Sequence, residues 1–110
     1  MSEFIDGYNR LANSVHRIAV DKGWWDKPRN DGEIIALIHS ELSEALEALR
    51  KGNPSDEHCP EFKNVSIELA DVIIRIMDFG IARGFNVAEA VCAKIEYNNT
   101  RPFMHGGKKF

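Results

Sequence analysis

Two pairs of acidic residues give this sequence its clearest capacity for chemistry. Glu41 and Glu44 are three positions apart, and so are Glu68 and Asp71. In a helix this spacing puts both members of a pair on one face, and two adjoining helices could bring all four carboxylates together. Like charges raise one another's pKa, so a divalent cation would relieve the repulsion. Oxygen ligands favour Mg²⁺ or Mn²⁺ over Zn²⁺ or copper. The pattern therefore predicts a Mg²⁺ site, with Mn²⁺ as an alternative ion.

Four helices must position these residues, because apolar side chains recur at helical spacing in four segments and no strand pattern is convincing. The predicted helices are Glu3–Lys22, Asp31–Lys51, Glu61–Arg83 and Val87–Asn99. The short connections between them indicate a four-helix bundle. Since 110 residues is the length of one domain, we predict a single all-α domain over residues 1–110.

Local signals mark the ends of these helices. Asn30 with Glu33, and Asn86 with Glu89, have the spacing of a capping box, in which the first side chain accepts a hydrogen bond from the backbone of the second residue. Gly52 follows the second helix, at a position where helix C-termini favour a positive φ. The second and fourth helices are therefore expected to begin directly after Asn30 and Asn86.

The second helix directs its first acidic pair toward a neighbouring helix. At about 100° per residue, Glu41 falls within the apolar arc of this helix and Glu44 lies just beyond its edge. Glu47 lies on the opposite side, where we expect solvent. The first pair is therefore a better candidate for metal binding than the later glutamate.

The third helix carries a charged stripe on an otherwise apolar surface. A helix this apolar is expected to be buried on most sides, and a chain this short needs a dimer or larger assembly to cover it. Its stripe consists of Glu68, Asp71, Arg75 and Asp78. Charges in a buried helix are costly unless they are paired or bound to metal. An ion pair of Arg75 with Asp71 or Asp78 is the favoured role of the arginine, with neutralisation of substrate charge as the alternative. Solvated helix charges are the alternative interpretation of the acidic pairs.

Composition argues against several partners. The net charge of −3 and the pI near 5.8 lack the basic character of a nucleic-acid-binding protein. Residues 1–7 have neither the basic nor the apolar part of a signal peptide, and no apolar run approaches the roughly 18 residues of a membrane helix. Cys59 and Cys92 as free thiols suit a reducing compartment. We therefore expect a cytoplasmic protein without nucleic-acid or membrane partners.

The segments that hold the acidic pairs, residues 38–50 and 68–72, resemble the all-α nucleotide pyrophosphatases. This group includes MazG, the dimeric dUTPases and phosphoribosyl-ATP pyrophosphohydrolase, and the small MazG-like proteins are the most similar. The ending strengthens the resemblance through Lys94-x-x-x-Asn98-x-x-Arg101-Pro102 and His105-Gly106-Gly107-Lys108. The resemblance implies a homo-oligomer, a dimer or tetramer. It also implies Mg²⁺-dependent hydrolysis of nucleoside triphosphates to a monophosphate and pyrophosphate, in nucleotide-pool house-cleaning.

The resemblance also implies roles for individual residues. The metal ligands would be Glu41, Glu44, Glu68 and Asp71, and Glu41 or Glu44 would position the attacking water. The residues that would contact the phosphates or the sugar are Lys94 and Asn98, with Arg101 and Lys108 as secondary candidates. The nucleobase would contact His16, Trp24, Trp25, Arg29 and Asn30. The alternative for Lys94 is an ordinary surface lysine. For His16 it is a structural role, and for each tryptophan it is a place in the core or an interface. Ser40 stands where some relatives carry another acid, which leaves the number of metal ions and the general base open.

Two other functions remain open from the sequence. One is a related pyrophosphohydrolase activity on another nucleotide, such as phosphoribosyl-ATP or dUTP. The other is a non-catalytic helical adaptor that uses the bundle for oligomerisation. The presence of all four acids favours an enzyme over the adaptor.

Overall fold

The computed structural model describes residues 1–102 and shows an all-α protein of four helices. Residues 103–110, including Lys108, lie outside the described residues. The helices are α1 (Ser2–Asp21), α2 (Asp31–Arg50), α3 (Asn64–Arg83) and α4 (Val87–Thr100). They confirm the predicted all-α class with four helices and, within a few residues, the predicted helix bounds. Within residues 1–102, no helix has the length and apolar character needed to cross a membrane.

One of the two predicted caps forms as expected. The Asn30 side chain accepts a hydrogen bond from the backbone N–H of Glu33 at 3.2 Å, and the backbone of Asn30 is extended, with ψ 132°. Asn86 has ψ 65° and makes no side-chain cap, so the second predicted box was wrong. That backbone does not aim the side chain at the helix, and the Glu89 carboxylate accepts a hydrogen bond from Asn9 of α1 at 3.2 Å instead. Gly52 has the predicted positive φ, at 85°.

The α3 helix begins three residues later than predicted because the preceding segment folds as an anchored loop. The backbone N–H of Asn64 donates to the Pro54 carbonyl at 2.7 Å, and that of Val65 donates to the Asn53 side chain at 2.9 Å. Asn53 has a positive φ of 53°. These bonds attach the start of α3 to Asn53 and Pro54, in the loop that follows α2, and fix where the helix starts.

Helices α2 and α3 pack against each other and contain the core. Arg83 pairs with Asp31 and Arg75 with Glu41, so the end of one helix meets the beginning of the other and the two run antiparallel. The core between them contains Ile34, Ile38 and Val72, with Trp25, Ile76 and Phe79 packed against it. Helix α1 packs on α3, and α4 packs on α1.

A large apolar surface remains uncovered in the single chain. Leu69 and Ile73, one turn apart on α3, are 46% and 52% exposed, and Leu42 and Leu46 of α2 are 45% and 50% exposed. The single chain therefore does not cover α3, as the sequence led us to expect, although both α1 and α2 pack on it. Burial of α3 on most sides in an assembly stays a prediction.

Candidate metal centre

Three of the four predicted metal ligands converge between α2 and α3. One carboxylate oxygen from each of Glu41, Glu68 and Asp71 lies within 4.8 Å of the other two, and all three residues are partly buried. The antiparallel packing of the helices produces this arrangement, because it sets the middle of α2 opposite the first half of α3. Glu44 is exposed and lies outside the trio, so it does not converge with the other three as predicted. The reason is that it lies just beyond the edge of the apolar arc of α2.

The electrostatics of the trio are unfavourable for three negative charges. Burial raises the pKa of Glu68 above its usual value, and the charges on Asp71, Glu41, Glu44 and Asp56 raise it further. Burial also raises the pKa of Asp71. The negative charges of Glu41 and Asp56 raise this pKa further, and the positive charge of Arg75 lowers it. Bringing a cation into this cluster would stabilise the ionised carboxylates.

The donor set fits a hard divalent cation. It consists of carboxylate oxygens, which suit Mg²⁺ or Mn²⁺. Two oxygens bound to one Mg²⁺ at about 2.1 Å lie at most about 4.2 Å apart, whereas the three oxygens are within 4.8 Å of one another. A small rotation of the side chains would therefore bring them to binding distance.

Arg75 links the acidic trio to an aromatic residue. Its Nε donates to Glu41 Oε1 at 3.0 Å, with both side chains largely covered, and its guanidinium lies 5.2 Å from the centre of the Trp24 ring. The predicted ion pair of Arg75 with Asp71 or Asp78 was wrong. The reason is that α2 presents Glu41 to the arginine, while Asp78 is engaged by other donors.

Asp78 joins three elements of the fold. Both of its oxygens accept from Trp25 Nε1, at 2.9 and 3.0 Å, and Oδ1 also contacts His16 Nδ1 at 2.7 Å. The Trp25 ring packs edge-on against the His16 ring. This network attaches the segment after α1 to both α1 and α3, and it gives His16 and Trp25 a structural role.

A cleft of about 400 Å³ lies beside the trio, within the size range of small-molecule sites. Its walls include Trp24, Arg75 and Lys22 together with the acidic residues Glu41 and Asp71. Trp24 is 47% exposed, so one aromatic surface is available to a ligand. The cleft therefore combines carboxylates, two cationic side chains and an indole.

The predicted base-binding residues are divided between the cleft and the scaffold. Trp24 lines the cleft, and Arg29 lies over its ring at 5.5 Å and donates to its backbone carbonyl at 3.1 Å. His16 and Trp25 bind Asp78 and do not line the cleft, and the Asn30 side chain caps α2. Of these five residues, Trp24 alone lines the cleft, and Arg29 contacts the Trp24 ring without lining the cleft.

The predicted phosphate-binding residues lie away from the acidic trio in the single chain. Lys94, Asn98 and Arg101 are exposed on or just after α4, which packs on α1. Lys94 Nζ lies 4.6 Å and the Arg101 guanidinium 5.8 Å from the centre of the Tyr97 ring. Asn98 lines a separate depression with Met1.

No sequence pattern pointed to Asp56, in the loop before α3, or to Asn64, the first residue of α3. Asp56 is 7% exposed and Asn64 contacts Glu68. An Asp–Glu pair twelve positions apart has no periodic signal, although an acid in a loop next to a metal motif is a feature that could prompt a search.

In comparisons with known proteins, no family model, no curated protein and no solved structure matches the chain.

Proposed function

We propose that this protein is a Mg²⁺-dependent nucleoside triphosphate pyrophosphohydrolase of the MazG-like kind. The observation that carries the proposal is the convergence of Glu41, Glu68 and Asp71 beside a cleft that Trp24 lines. A hard cation, a polyanion and a nucleobase are the ligands that these groups suit together. The proposed setting is the cytoplasm, because Cys59 and Cys92 are free thiols.

Each wall of the cleft suits a different part of the substrate. Trp24 would stack on the nucleobase, an interaction worth about 1–3 kcal/mol per base in single-strand binding. Lys22 and Arg75 would offset phosphate charge. Glu41, Glu68 and Asp71 would hold Mg²⁺, which supplies charge neutralisation and orientation of the triphosphate.

Glu44 is the proposed residue for positioning the attacking water. It is exposed at the edge of the trio, whereas Glu41 already accepts a hydrogen bond from Arg75. The water oxygen would form a bond to the α-phosphorus, its proton would pass to the Glu44 carboxylate, and the bond from the α-phosphorus to the bridging oxygen would break. Pyrophosphate leaves with that oxygen.

The test is pyrophosphate release from a panel of ordinary and damaged ribo- and deoxyribonucleoside triphosphates. Glu44→Gln and Asp71→Asn should each lower Mg²⁺-dependent release at least about 100-fold, since a positioned general base alone contributes about 10²–10⁴-fold. Glu47→Gln is the matched control, because Glu47 is on the same helix and pairs with Lys51 at the surface; it should keep full activity.

Specific outcomes of this panel would replace the proposal. Turnover of phosphoribosyl-ATP or dUTP alone would indicate the related activity on another nucleotide. Full activity in both acidic variants would exclude the proposed site. A wild-type protein that neither binds Mg²⁺ nor hydrolyses any nucleotide would indicate a helical adaptor.

We further propose that the protein acts as a homo-oligomer. Support comes from the exposed apolar surface that includes Leu69 and Ile73 of α3, since exposed apolar patches of this kind commonly mark interfaces. In such an assembly, Lys94 and Asn98 could reach phosphates in the cleft of a second copy. Ile73→Arg should lower the mass measured by light scattering to that of one chain, whereas Glu57→Arg in the exposed loop should not. A wild-type monomer at high concentration would contradict the assembly.

A further inference from the structure

We propose that Asn64 is a positioning residue of the metal centre, and that buried Asp56 holds Asn64 in place. The inference rests on the proposed metal site at Glu41, Glu68 and Asp71. It adds to that site a support that begins in the loop between α2 and α3 and acts through Glu68.

The Asn64 side chain bridges two carboxylates. One end of its amide lies 3.2 Å from Glu68 Oε1 and 3.0 Å from Asp56 Oδ1. Because both neighbours are acceptors, we assign the nitrogen to that end, where it donates to each of them. A carboxamide nitrogen carries two hydrogens, so one hydrogen is available for each acceptor. Asn64 is the first residue of α3 and Glu68 lies one turn later, which explains how the short side chain reaches it.

Asp56 is fixed by the backbone of its own loop. It is 7% exposed, and its Oδ2 accepts from the N–H groups of His58 at 2.9 Å and Cys59 at 2.8 Å. Its own N–H donates to the Phe62 carbonyl at 2.8 Å. Because two backbone N–H groups hold Oδ2, Asp56 offers Asn64 at Oδ1 an acceptor that cannot easily move.

The bridge leaves Glu68 able to bind a cation while restricting its rotation. Asn64 uses one oxygen of the Glu68 carboxylate, which has about four acceptor positions in all. A neutral donor between two acids also separates Asp56 from Glu68 without adding charge. Hydrogen-bonding partners of metal ligands commonly change metal affinity by 10- to 100-fold when they are removed, so we expect an effect of about this size at Asn64.

The experiment measures Mn²⁺ binding to the full chain by electron paramagnetic resonance, together with the Mg²⁺ dependence of pyrophosphate release. Asn64→Ala should weaken Mn²⁺ binding by about 10-fold or more and raise the Mg²⁺ concentration for half-maximal rate by a similar factor. The rate at saturating Mg²⁺ should change much less, because Asn64 does not touch the substrate. Asn64→Ser is a second variant, since serine suits a helix start and its short hydroxyl side chain cannot donate to both acids.

Asn53→Gly is the matched control. It keeps the positive φ and removes a different bond between this loop and α3, the one from the Val65 N–H. If Asn64 only stabilised the loop, the two changes would lower the melting temperature without selectively altering metal affinity. We expect Asn53→Gly to keep the Mn²⁺ affinity of the wild type and Asn64→Ala to lower this affinity by about 10-fold or more.

The outcomes separate this inference from the proposed function. Wild-type protein that binds Mn²⁺ and hydrolyses triphosphates, with Asn64→Ala and Asn64→Ser unchanged in metal affinity, would overturn the positioning role alone. Equal losses of affinity in Asn53→Gly and Asn64→Ala would overturn it as well. Absence of Mn²⁺ binding in the wild type would overturn both the inference and the metal site on which it rests.

Discussion

Removing one charge from the acidic trio should stabilise the protein at neutral pH when no divalent cation is present. Burial raises the pKa of Glu68, and its acidic neighbours Asp71, Glu41 and Glu44 add to the rise. Because the pKa of Glu68 is higher in the folded than in the unfolded protein, its protonated form stabilises the fold. This contribution to the free energy of unfolding is fully present below the unfolded pKa, near 4.5, and is lost as the pH rises through the pKa of the folded state. Glu68→Gln removes this cost and keeps an oxygen that can accept from Asn64.

The size of the effect follows from the spacing of the carboxylates. The three oxygens lie within 4.8 Å of one another. At that limit two unit charges repel by about 3.5 kcal/mol at an effective dielectric constant of about 20 and by about 1 kcal/mol in water. Partial exposure and the nearby positive charge of Arg75 favour the lower figure. With an unfolding entropy of about 2.1 cal/mol/K per residue, about 1 kcal/mol in a 110-residue chain shifts the melting temperature by about 4 °C.

Thermal unfolding followed by circular dichroism, with a chelator present, measures this shift. Glu68→Gln should melt about 4 °C above the wild type near pH 7.5, and the difference should disappear near pH 4, where the carboxylates in both states become protonated. At about ten times its dissociation constant, Mg²⁺ should stabilise the wild type by about 1.4 kcal/mol, and the variant should gain less. Glu47→Gln, at an exposed position, should change neither value. A Glu68→Gln protein that melts below the wild type near pH 7.5 would refute the repulsion.

Three further variants test other parts of the fold by chemical denaturation. Trp25→Phe removes the N–H from which both oxygens of Asp78 accept, so it should lower the free energy of unfolding by about 1–3 kcal/mol. Trp24→Phe should lower it less, and equal losses in the two variants would contradict the anchoring role of Trp25. Gly84→Ala forces alanine to φ 72° in open space and should cost about 1–2 kcal/mol, and no loss would mean that the backbone relaxes. Gly7→Ala, inside α1 with nothing within 4 Å of the added carbon, should gain about 0.5–1 kcal/mol, and a loss would indicate a contact at that face.

The helices were predictable because their signals are local. The apolar spacing gave all four, and the Asn30 cap and the positive φ of Gly52 followed from residue type. The start of α3 was not predictable in the same way. Glu61 is compatible with a helix, but the helix begins later, because the first backbone N–H groups of α3 donate to the Pro54 carbonyl and the Asn53 side chain. Such hydrogen bonds have no local signature in the sequence.

The site was predictable where one helix face decided the outcome. The apolar arc of α2 predicted that Glu41 and Glu44 both point toward a neighbouring helix. Glu41, inside the arc, does so, whereas Glu44, just beyond its edge, is exposed. Contacts between distant residues were not predictable. The bond between Trp25 and Asp78 spans 53 residues, and the pairing of Arg75 with Glu41 depends on which helix packs beside α3. The roles of Lys94 and Asn98 came from resemblance, and the single chain offers no geometry that tests them.

The anchored loop before α3 also determines how the chain can tolerate changes of length. An extra residue between Pro60 and Glu61, both exposed, could bulge into solvent and leave the Asp56–Asn64–Glu68 chain of contacts intact. The same insertion between Asn64 and Glu68 would turn the remainder of α3 by about 100° relative to its anchored first residue. Homologous sequences that share this site should therefore vary in length in the loop before Asn64 and keep a constant number of residues between Asn64 and Glu68.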